Sequence, residues 1–265
     1  MKGITIILTF LIAGCSHNNE HVVAKDTKFK FPLIINKINT DTVKPYAAKC
    51  MRSNDPEFIG RYKLGDTIRY DGERQDEKLS EKDYLWEVRN VFEGDSLSSD
   101  GLQIIPDYTT SLAYKWYDEK NYLYYPVYIV NETSEPKVFF GKGQHGYAIQ
   151  EALDTSDYSQ WHAIESVNWD FCGNGRFGKK INPGEFLMFI LPKYAGPLQT
   201  SLRLRFKIGQ SIFISRSFIA NIDSKQFKID KNDWIERRLK ETNGFASNWL
   251  FFGGTPKELY RFEKK

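Results

Sequence analysis

Apolar and basic residues alternate strictly between Leu202 and Ile208, in the order Leu-Arg-Leu-Arg-Phe-Lys-Ile. A period of two places successive side chains on opposite faces of a β-strand, so the pattern predicts a strand with one buried and one solvated face. The three basic side chains are expected to lie on the solvated face. Gly209-Gln210 follows, and a second apolar run starts at Ser211, a spacing that predicts a tight β-hairpin.

Short apolar runs separated by turn residues recur along most of the chain. In the first half the strand candidates are Leu33–Ile38, Tyr62–Tyr70, Leu85–Phe92, Leu102–Ile105 and Leu112–Tyr117. In the second half they are Tyr122–Val130, Lys137–Phe140, Tyr147–Leu153, Trp161–Val167, Glu185–Leu191, Ser201–Ile208 and Ser211–Ile219. Seven candidates within about 100 residues match the strand count of an immunoglobulin-like or fibronectin-like sandwich.

These spacings predict an all-β protein with a β-sandwich domain at residues 120–225. Residues 31–119 are expected to form a β-rich region, either less regular or contributing extra strands to the same sandwich. Residues 226–265 form a C-terminal extension, in which Asp230 to Asp233 precede an apolar stripe beginning at Trp234. Such a polar start is typical of a capped helix, and a short helix is expected over residues 232–242, although a strand is an alternative.

Composition narrows the classes of function. The chain of 265 residues carries 37 basic and 34 acidic side chains with both signs interspersed, and 15% of its residues are aromatic. A high aromatic content favours strands. A near-neutral chain with interspersed charges lacks the cluster of positive charge that typically binds nucleic acid. We therefore expect no nucleic-acid partner.

The first fifteen residues have the order of an export signal. Lys2 is followed by a short apolar run, and Ile12-Ala13-Gly14-Cys15 ends it with small residues and a cysteine. The apolar run is too short to span a bilayer, which takes about 20 residues. This tetrapeptide resembles the lipobox of bacterial lipoproteins.

The resemblance implies a signal peptide at residues 1–14, removed before Cys15, and acylation of that cysteine with a diacylglycerol and an N-acyl group such as palmitate. Two or more acyl chains hold a protein on a membrane almost permanently. Ser16 follows the cysteine, where Asp would be the inner-membrane retention signal of the family, so residence at the outer membrane is expected. Residues 15–30 then form a polar tether; whether the body faces the periplasm or the exterior stays open.

Lipidation of Cys15 leaves Cys50 and Cys172 as an even pair in an oxidising compartment, where disulfides persist. The two are candidates for a disulfide, and the alternative is two buried thiols that behave as small apolar side chains.

Candidate catalytic chemistry is sparse. Gly141 to Gly146 and Gly173 to Gly178 both match G-x-G-x-x-G, but that motif binds phosphate only when a helix follows, and strands or turns are expected here. Without those helices no nucleotide is expected. No zinc motif occurs either, so no metal is expected. His145 with Cys172 is a distant alternative as a thiol–imidazole pair of a cysteine-dependent enzyme.

Aromatic residues crowd between positions 108 and 128. The candidate ligand face consists of Tyr114, Trp116, Tyr122, Tyr124 and Tyr128. Aromatic rings stack on sugars and enrich protein interfaces, which favours a binding face. The alternative is that alternate rings fill the core of the sandwich.

The segment FFGKGQHGYAIQEALDTSDYSQWHAIE, residues 139–165, and the later FCGNG, residues 171–175, are similar to lipoproteins of the Bacteroidota. That resemblance supports class and compartment and implies no activity. The expected function is therefore that of a membrane-anchored cell-envelope lipoprotein that binds or scaffolds envelope proteins without catalysis. The alternative is a glycan-binding accessory lipoprotein that uses the tyrosine-rich face.

Overall fold

The computed structural model describes residues 20–22, 27–72, 98–115, 120–142, 145–156, 159–168, 176–209 and 211–257. The strands of this part of the chain, numbered in order, are β1 Glu20–Val22, β2 Leu33–Asn36, β3 Arg52–Ser53, β4 Glu57–Lys63, β5 Thr67–Tyr70, β6 Leu102–Pro106, β7 Leu112–Lys115, β8 Asn121–Asn131, β9 Lys137–Lys142, β10 Tyr147–Asp154, β11 Gln160–Ala163, β12 Glu165–Ser166, β13 Arg176–Ile181, β14 Glu185–Pro192, β15 Leu198–Ile208, β16 Ser211–Ile214 and β17 Phe218–Ile222. Two short α-helices follow, α1 Trp234–Glu241 and α2 Ser247–Leu250.

Most of these strands belong to two sheets. Sheet I has the order β1-β16-β15-β10-β11, and β17 pairs with the first half of β15. Sheet II has the order β4-β14-β8-β6, with β7 paired to the start of β8. Three two-stranded ribbons, β2–β5, β3–β12 and β9–β13, complete the fold.

The two sheets pack face to face. Ala148, Leu204 and Phe206 of Sheet I lie in one buried cluster with Val127 and Phe189 of Sheet II. A core shared by the inner faces of two sheets is the arrangement of a β-sandwich, so the all-β sandwich class predicted from the sequence is confirmed.

The outer face of Sheet II is buried as well. Tyr128 and Phe186 on this face share a cluster with Ile68 and Tyr70 of the β2–β5 ribbon, and Phe29 packs against it. Both faces of the central strands β8 and β14 are therefore covered. This explains their nearly continuous apolar sequences, because a strand buried on both sides shows no alternation.

The outer face of Sheet I is covered by the C-terminal extension. Ile149 and Ile212 of the sheet cluster with Leu239 of α1 and with Leu250 and Phe251 at the end of α2. The predicted C-terminal helix is confirmed as α1, which is capped by the Asp233 side chain accepting a hydrogen bond from the backbone N–H of Ile235. The extension is thus a fourth layer of the fold.

Several predicted strands differ in extent from the observed ones. The run Tyr62–Tyr70 is two strands in different sheets, because Gly65 at φ +90° turns the chain between them. The run Ser211–Ile219 also divides, into β16 and β17. The candidate Leu85–Phe92 lies outside the described residues, and β13 had no counterpart among the candidates.

The region at residues 31–119 and the domain at residues 120–225 share one sheet. β4, β6 and β7 of the first are hydrogen-bonded to β14 and β8 of the second. Within residues 15–30, which were assigned to a tether, the backbone of Glu20–Val22 pairs in parallel with β16, and Phe29 packs 5.2 Å from the ring of Tyr128. The folded body therefore includes residues before Phe31.

The basic side chains of β15 do not form the solvated face that their alternation predicted. Arg205 is only 5% exposed, and its Nε donates to Oε1 of Glu151 at 2.8 Å. Arg203 Nε donates to the other oxygen of Glu151 at 2.6 Å. The chain passes so close above this group that a Cβ at Gly254 would lie 2.8 Å from Glu151 Oε1. This part of the outer face of Sheet I is polar, yet the C-terminal layer covers it, which periodicity alone does not reveal.

Replacing Glu151 by Gln removes the negative charge that pairs with Arg203 and Arg205 beneath that layer. Because removal of one member of a buried ion pair uncovers a desolvated charge, we expect the free energy of unfolding to fall by about 3 kcal/mol in urea titrations. The matched control is Glu241→Gln, whose partner Arg238 is at the surface and whose loss is expected to cost under about 0.5 kcal/mol. Equal effects of the two changes would contradict this account of Glu151.

Candidate functional site

The chain between β2 and β4 crosses the edge of the sandwich and is fixed there by backbone hydrogen bonds. The N–H of Tyr46 donates to the carbonyl of Lys193 at 2.7 Å, and the N–H of Ala195 donates back to Tyr46 at 3.0 Å. Farther along, β3 pairs in parallel with β12, and the N–H of Asn54 donates to the carbonyl of Ser166 at 2.8 Å. Segments that are distant in sequence are thereby held around one depression.

This depression, here called the Asn54 cleft, is lined by Tyr46, Arg52, Ser53, Asn54, Tyr124, Pro192 and Tyr194. It measures about 250 Å³ out to its mouth, and about 10 Å³ of that space can hold the centre of a water molecule. A volume of that size admits about one water, so only a small terminal group of a ligand can enter.

Asn54 is the unusual residue of the cleft. Its side chain is 3% exposed, and neither Oδ1 nor Nδ2 has a hydrogen-bond partner among the described residues. A buried polar group without a partner costs about 1–3 kcal/mol. Most buried amides in proteins avoid this cost, and an exception requires a physical explanation.

Arg52 supplies a positive charge at the mouth. The residue is exposed, and its guanidinium carbon lies 5.1 Å from the centre of the Tyr46 ring. This cation–π contact orients the guanidinium without neutralising its charge. Tyr46 is itself fixed by a perpendicular contact with Tyr122 at 4.9 Å.

Glu165 lies next to the cleft, although it does not line it. The carboxylate is fully buried and accepts hydrogen bonds from the backbone N–H of Gln150 at 2.8 Å and from its side-chain amide at 3.0 Å. The Tyr194 hydroxyl donates to the same carboxylate. Tyr194 therefore presents its ring to the cleft and its hydroxyl to the interior.

Burial raises the pKa of Glu165 to about 7, although the hydrogen bonds from Tyr194 and Gln150 act in the opposite direction. The pKa of Tyr194 is also raised, first by burial and then by the neighbouring carboxylate. The raised pKa of Tyr194 keeps its hydroxyl protonated at neutral pH, so the hydroxyl donates to Glu165 and orients the Tyr194 ring.

A second polar group lies on the same segment. The Glu57 carboxylate is 3.5 Å from Nδ1 of His145, and Asp55 accepts hydrogen bonds from the backbone and side chain of Asn168 at 3.1 and 2.8 Å. Burial raises the pKa of Asp55. No group of three or more His, Cys, Asp or Glu side chains within the described ranges is arranged to hold a metal ion.

The predicted ligand face is corrected by the structure. Tyr124 and Tyr128 are 2% and 0% exposed, and Tyr114 and Tyr122 are half-buried against the same cluster. Trp116 lies outside the described residues. These rings face the β2–β5 ribbon rather than solvent, because β8 is central to Sheet II and needs cover on both sides. One of them, Tyr124, lines the Asn54 cleft from its buried side.

Two of the three cysteines in the predicted sites lie outside the described residues. Cys15 and Cys172 are not among the described residues, and Cys50 is a partly buried free thiol whose pKa is raised, chiefly by burial. Both the pairing of Cys50 with Cys172 and the pair of Cys172 with His145 stay predictions. The first glycine motif is followed by β10, so the helix that phosphate binding requires does not follow Gly146.

Sequence reasoning missed the cleft. The run Arg52 to Glu57 is polar and contains a proline, which is typical of an exposed loop. Nothing in that pattern indicates that the Asn54 amide is buried. Nor does it indicate that Arg52 lies over the ring of Tyr46, six residues earlier in the chain.

No protein-family model, curated protein or solved structure matches this chain. Among the described residues, no helix is both long enough and apolar enough to cross a membrane.

The raised pKa of Glu165 predicts a pH-dependent stability. Between pH 4.5, the ordinary value for Glu, and about 7, the folded protein keeps a proton that the unfolded chain releases. The free energy of unfolding should therefore fall as pH rises through this window, by up to about 3 kcal/mol, and then level off. Urea titrations from pH 4 to 8 measure this slope. Glu165→Gln is expected to flatten it and Glu241→Gln to preserve it; an unchanged slope in Glu165→Gln would refute the assignment.

Proposed function

We propose that this protein is a lipid-anchored binding or scaffolding protein of the cell envelope, which holds its partner at the Asn54 cleft and catalyses no reaction. The anchor rests on the sequence Ile12-Ala13-Gly14-Cys15 behind a basic residue and an apolar run. Acylation at Cys15 would supply the membrane partner, and the outer membrane is the expected site.

The observation that carries the binding role is the unpartnered amide of Asn54. A ligand that pairs with both Oδ1 and Nδ2 would recover hydrogen bonds that folding has forfeited, so the cleft gains more from an occupant than an ordinary surface does. Arg52, oriented by Tyr46, adds a charge at the entrance.

Binding accounts for the cleft better than catalysis does. Glu165, the buried acid that accepts from the Tyr194 hydroxyl, accepts three hydrogen bonds and does not line the cleft, so its oxygens are occupied away from any ligand. The lining side chains are amide, guanidinium, hydroxyl and aromatic groups. Such groups position a ligand, and the lining residues supply no carboxylate, imidazole, amine or thiol for general acid–base catalysis. Burial raises the pKa values of Tyr124 and Tyr194, which moves both hydroxyls further from titrating near neutral pH.

Acylation at Cys15 is tested by replacing it with Ser. The thiol that carries the diacylglycerol is then absent, so radiolabelled palmitate should no longer enter the protein. The protein should also leave the detergent-soluble membrane fraction. Cys50→Ser is the matched control and should keep both the label and the membrane location. Retention of label in Cys15→Ser would mean that the anchor lies elsewhere.

Reversing the charge at the cleft mouth tests the site of binding. Arg52→Glu should reduce the recovery of envelope components cross-linked to the protein in intact cells by about tenfold, because it replaces attraction of the partner by repulsion. Arg237→Glu, an equal charge change on the exposed side of α1, should leave recovery unchanged. If both variants recover the same components as the wild type, binding occurs away from the Asn54 cleft.

A further inference from the structure

We infer that the Asn54 cleft recognises the carboxylate end of a peptide, with the N–H and one terminal oxygen of the last residue paired to Asn54 and the terminal carboxylate also paired to Arg52. This assignment rests on the proposed binding function and specifies its ligand class. The two polar partners and the apolar walls each restrict what can enter.

The first restriction comes from Asn54. Its side chain offers one acceptor and two donors in a plane, and all are unpartnered within the described structure. The complementary group presents an N–H and an oxygen side by side. The last residue of a peptide does this, since its N–H can donate to Oδ1 while a terminal oxygen accepts from Nδ2.

The second restriction comes from Arg52. No hydrogen bond or ion pair engages its guanidinium within the described ranges, and the Tyr46 ring holds it in place. Arginine binds carboxylates with two parallel hydrogen bonds, and pre-orientation lowers the entropy cost of doing so. A neutral amide would satisfy Asn54 and leave this cation without a partner.

The third restriction is shape. The rings of Tyr124 and Tyr194 and the ring of Pro192 wall the cleft, and its enclosed space is that of about one water. The enclosed space therefore suits a single terminal carboxylate oxygen, and a small apolar side chain such as that of alanine would lie in the wider mouth against these rings. The acetamido group of an amino sugar would also fit these walls, but it carries no charge for Arg52.

Three probes separate these chemistries by calorimetric titration of the detergent-solubilised full chain. They are N-acetyl-alanyl-alanine, its C-terminal amide and N-acetylglucosamine. The free acid should bind, and the amide should bind at least about tenfold more weakly because it loses the charge-assisted contact with Arg52. The amino sugar should not bind measurably.

Two substitutions assign the contacts. Asn54→Leu, which is similar in size but cannot hydrogen-bond, should abolish binding of the free acid, and removal of the unpaired amide should raise the melting temperature of the ligand-free protein. Arg52→Ala lies at the surface and should fold normally, with affinity for the acid reduced about tenfold. Arg237→Ala should match the wild type.

Equal affinity for the acid and its amide, or tighter binding of N-acetylglucosamine, would overturn the carboxylate assignment while leaving the cleft a binding site. Absence of binding by every probe would also overturn it. In that case, a loss of cross-linking in Arg52→Glu cells would preserve the proposed function, whereas unchanged cross-linking would remove both.

Discussion

The fold depends on the need to cover four apolar sheet faces with one chain. Two sheets packed together bury only their inner faces, and here the outer faces also carry apolar side chains, with Tyr128 and Phe186 on one and Ile149 and Ile212 on the other. An apolar face of that size left in water would be costly and prone to aggregate. The β2–β5 ribbon with Phe29 and the chain after β17 therefore serve as outer layers, and they are as structural as the sandwich itself.

The same requirement explains where charges are buried. The C-terminal layer must cross Sheet I above β10 and β15, and it passes over the group formed by Glu151, Arg203 and Arg205. Because the two arginines satisfy both carboxylate oxygens, Glu151 is paired beneath the crossing. Gly254 permits the close approach, since any larger residue would collide with Glu151.

The sequence predicted the elements of the fold much better than the surroundings of each side chain. Alternation in β15 and the turn at Gly209 identified a strand and a hairpin correctly, because period and turn chemistry are local properties. The burial of Arg205 and of the tyrosines on β8 depends on layers contributed by distant segments, which a local pattern cannot encode. The Asn54 cleft has the same origin: Arg52, Tyr124 and Tyr194 lie far apart in sequence and meet only through the pairing of β3 with β12 and of β8 with β14.

The cleft lies where the connection between β2 and β4 crosses the edge of the sandwich, and this position couples binding to folding. Its lining comes from the connection between β2 and β4 on one side and from the ends of β8 and β14 on the other. The connection is held to the sandwich by backbone hydrogen bonds at Tyr46 and Asn54, while the amide of Asn54 remains a local cost. A ligand that pairs with that amide and packs against Tyr124 and Tyr194 contacts both sides, so it stabilises the docked connection in proportion to its occupancy. A hydrogen bond from a ligand to the Asn54 amide therefore also strengthens the contact between this connection and the sandwich. An unpaired amide elsewhere in the core would not have this effect, because this contact is the one that forms the site.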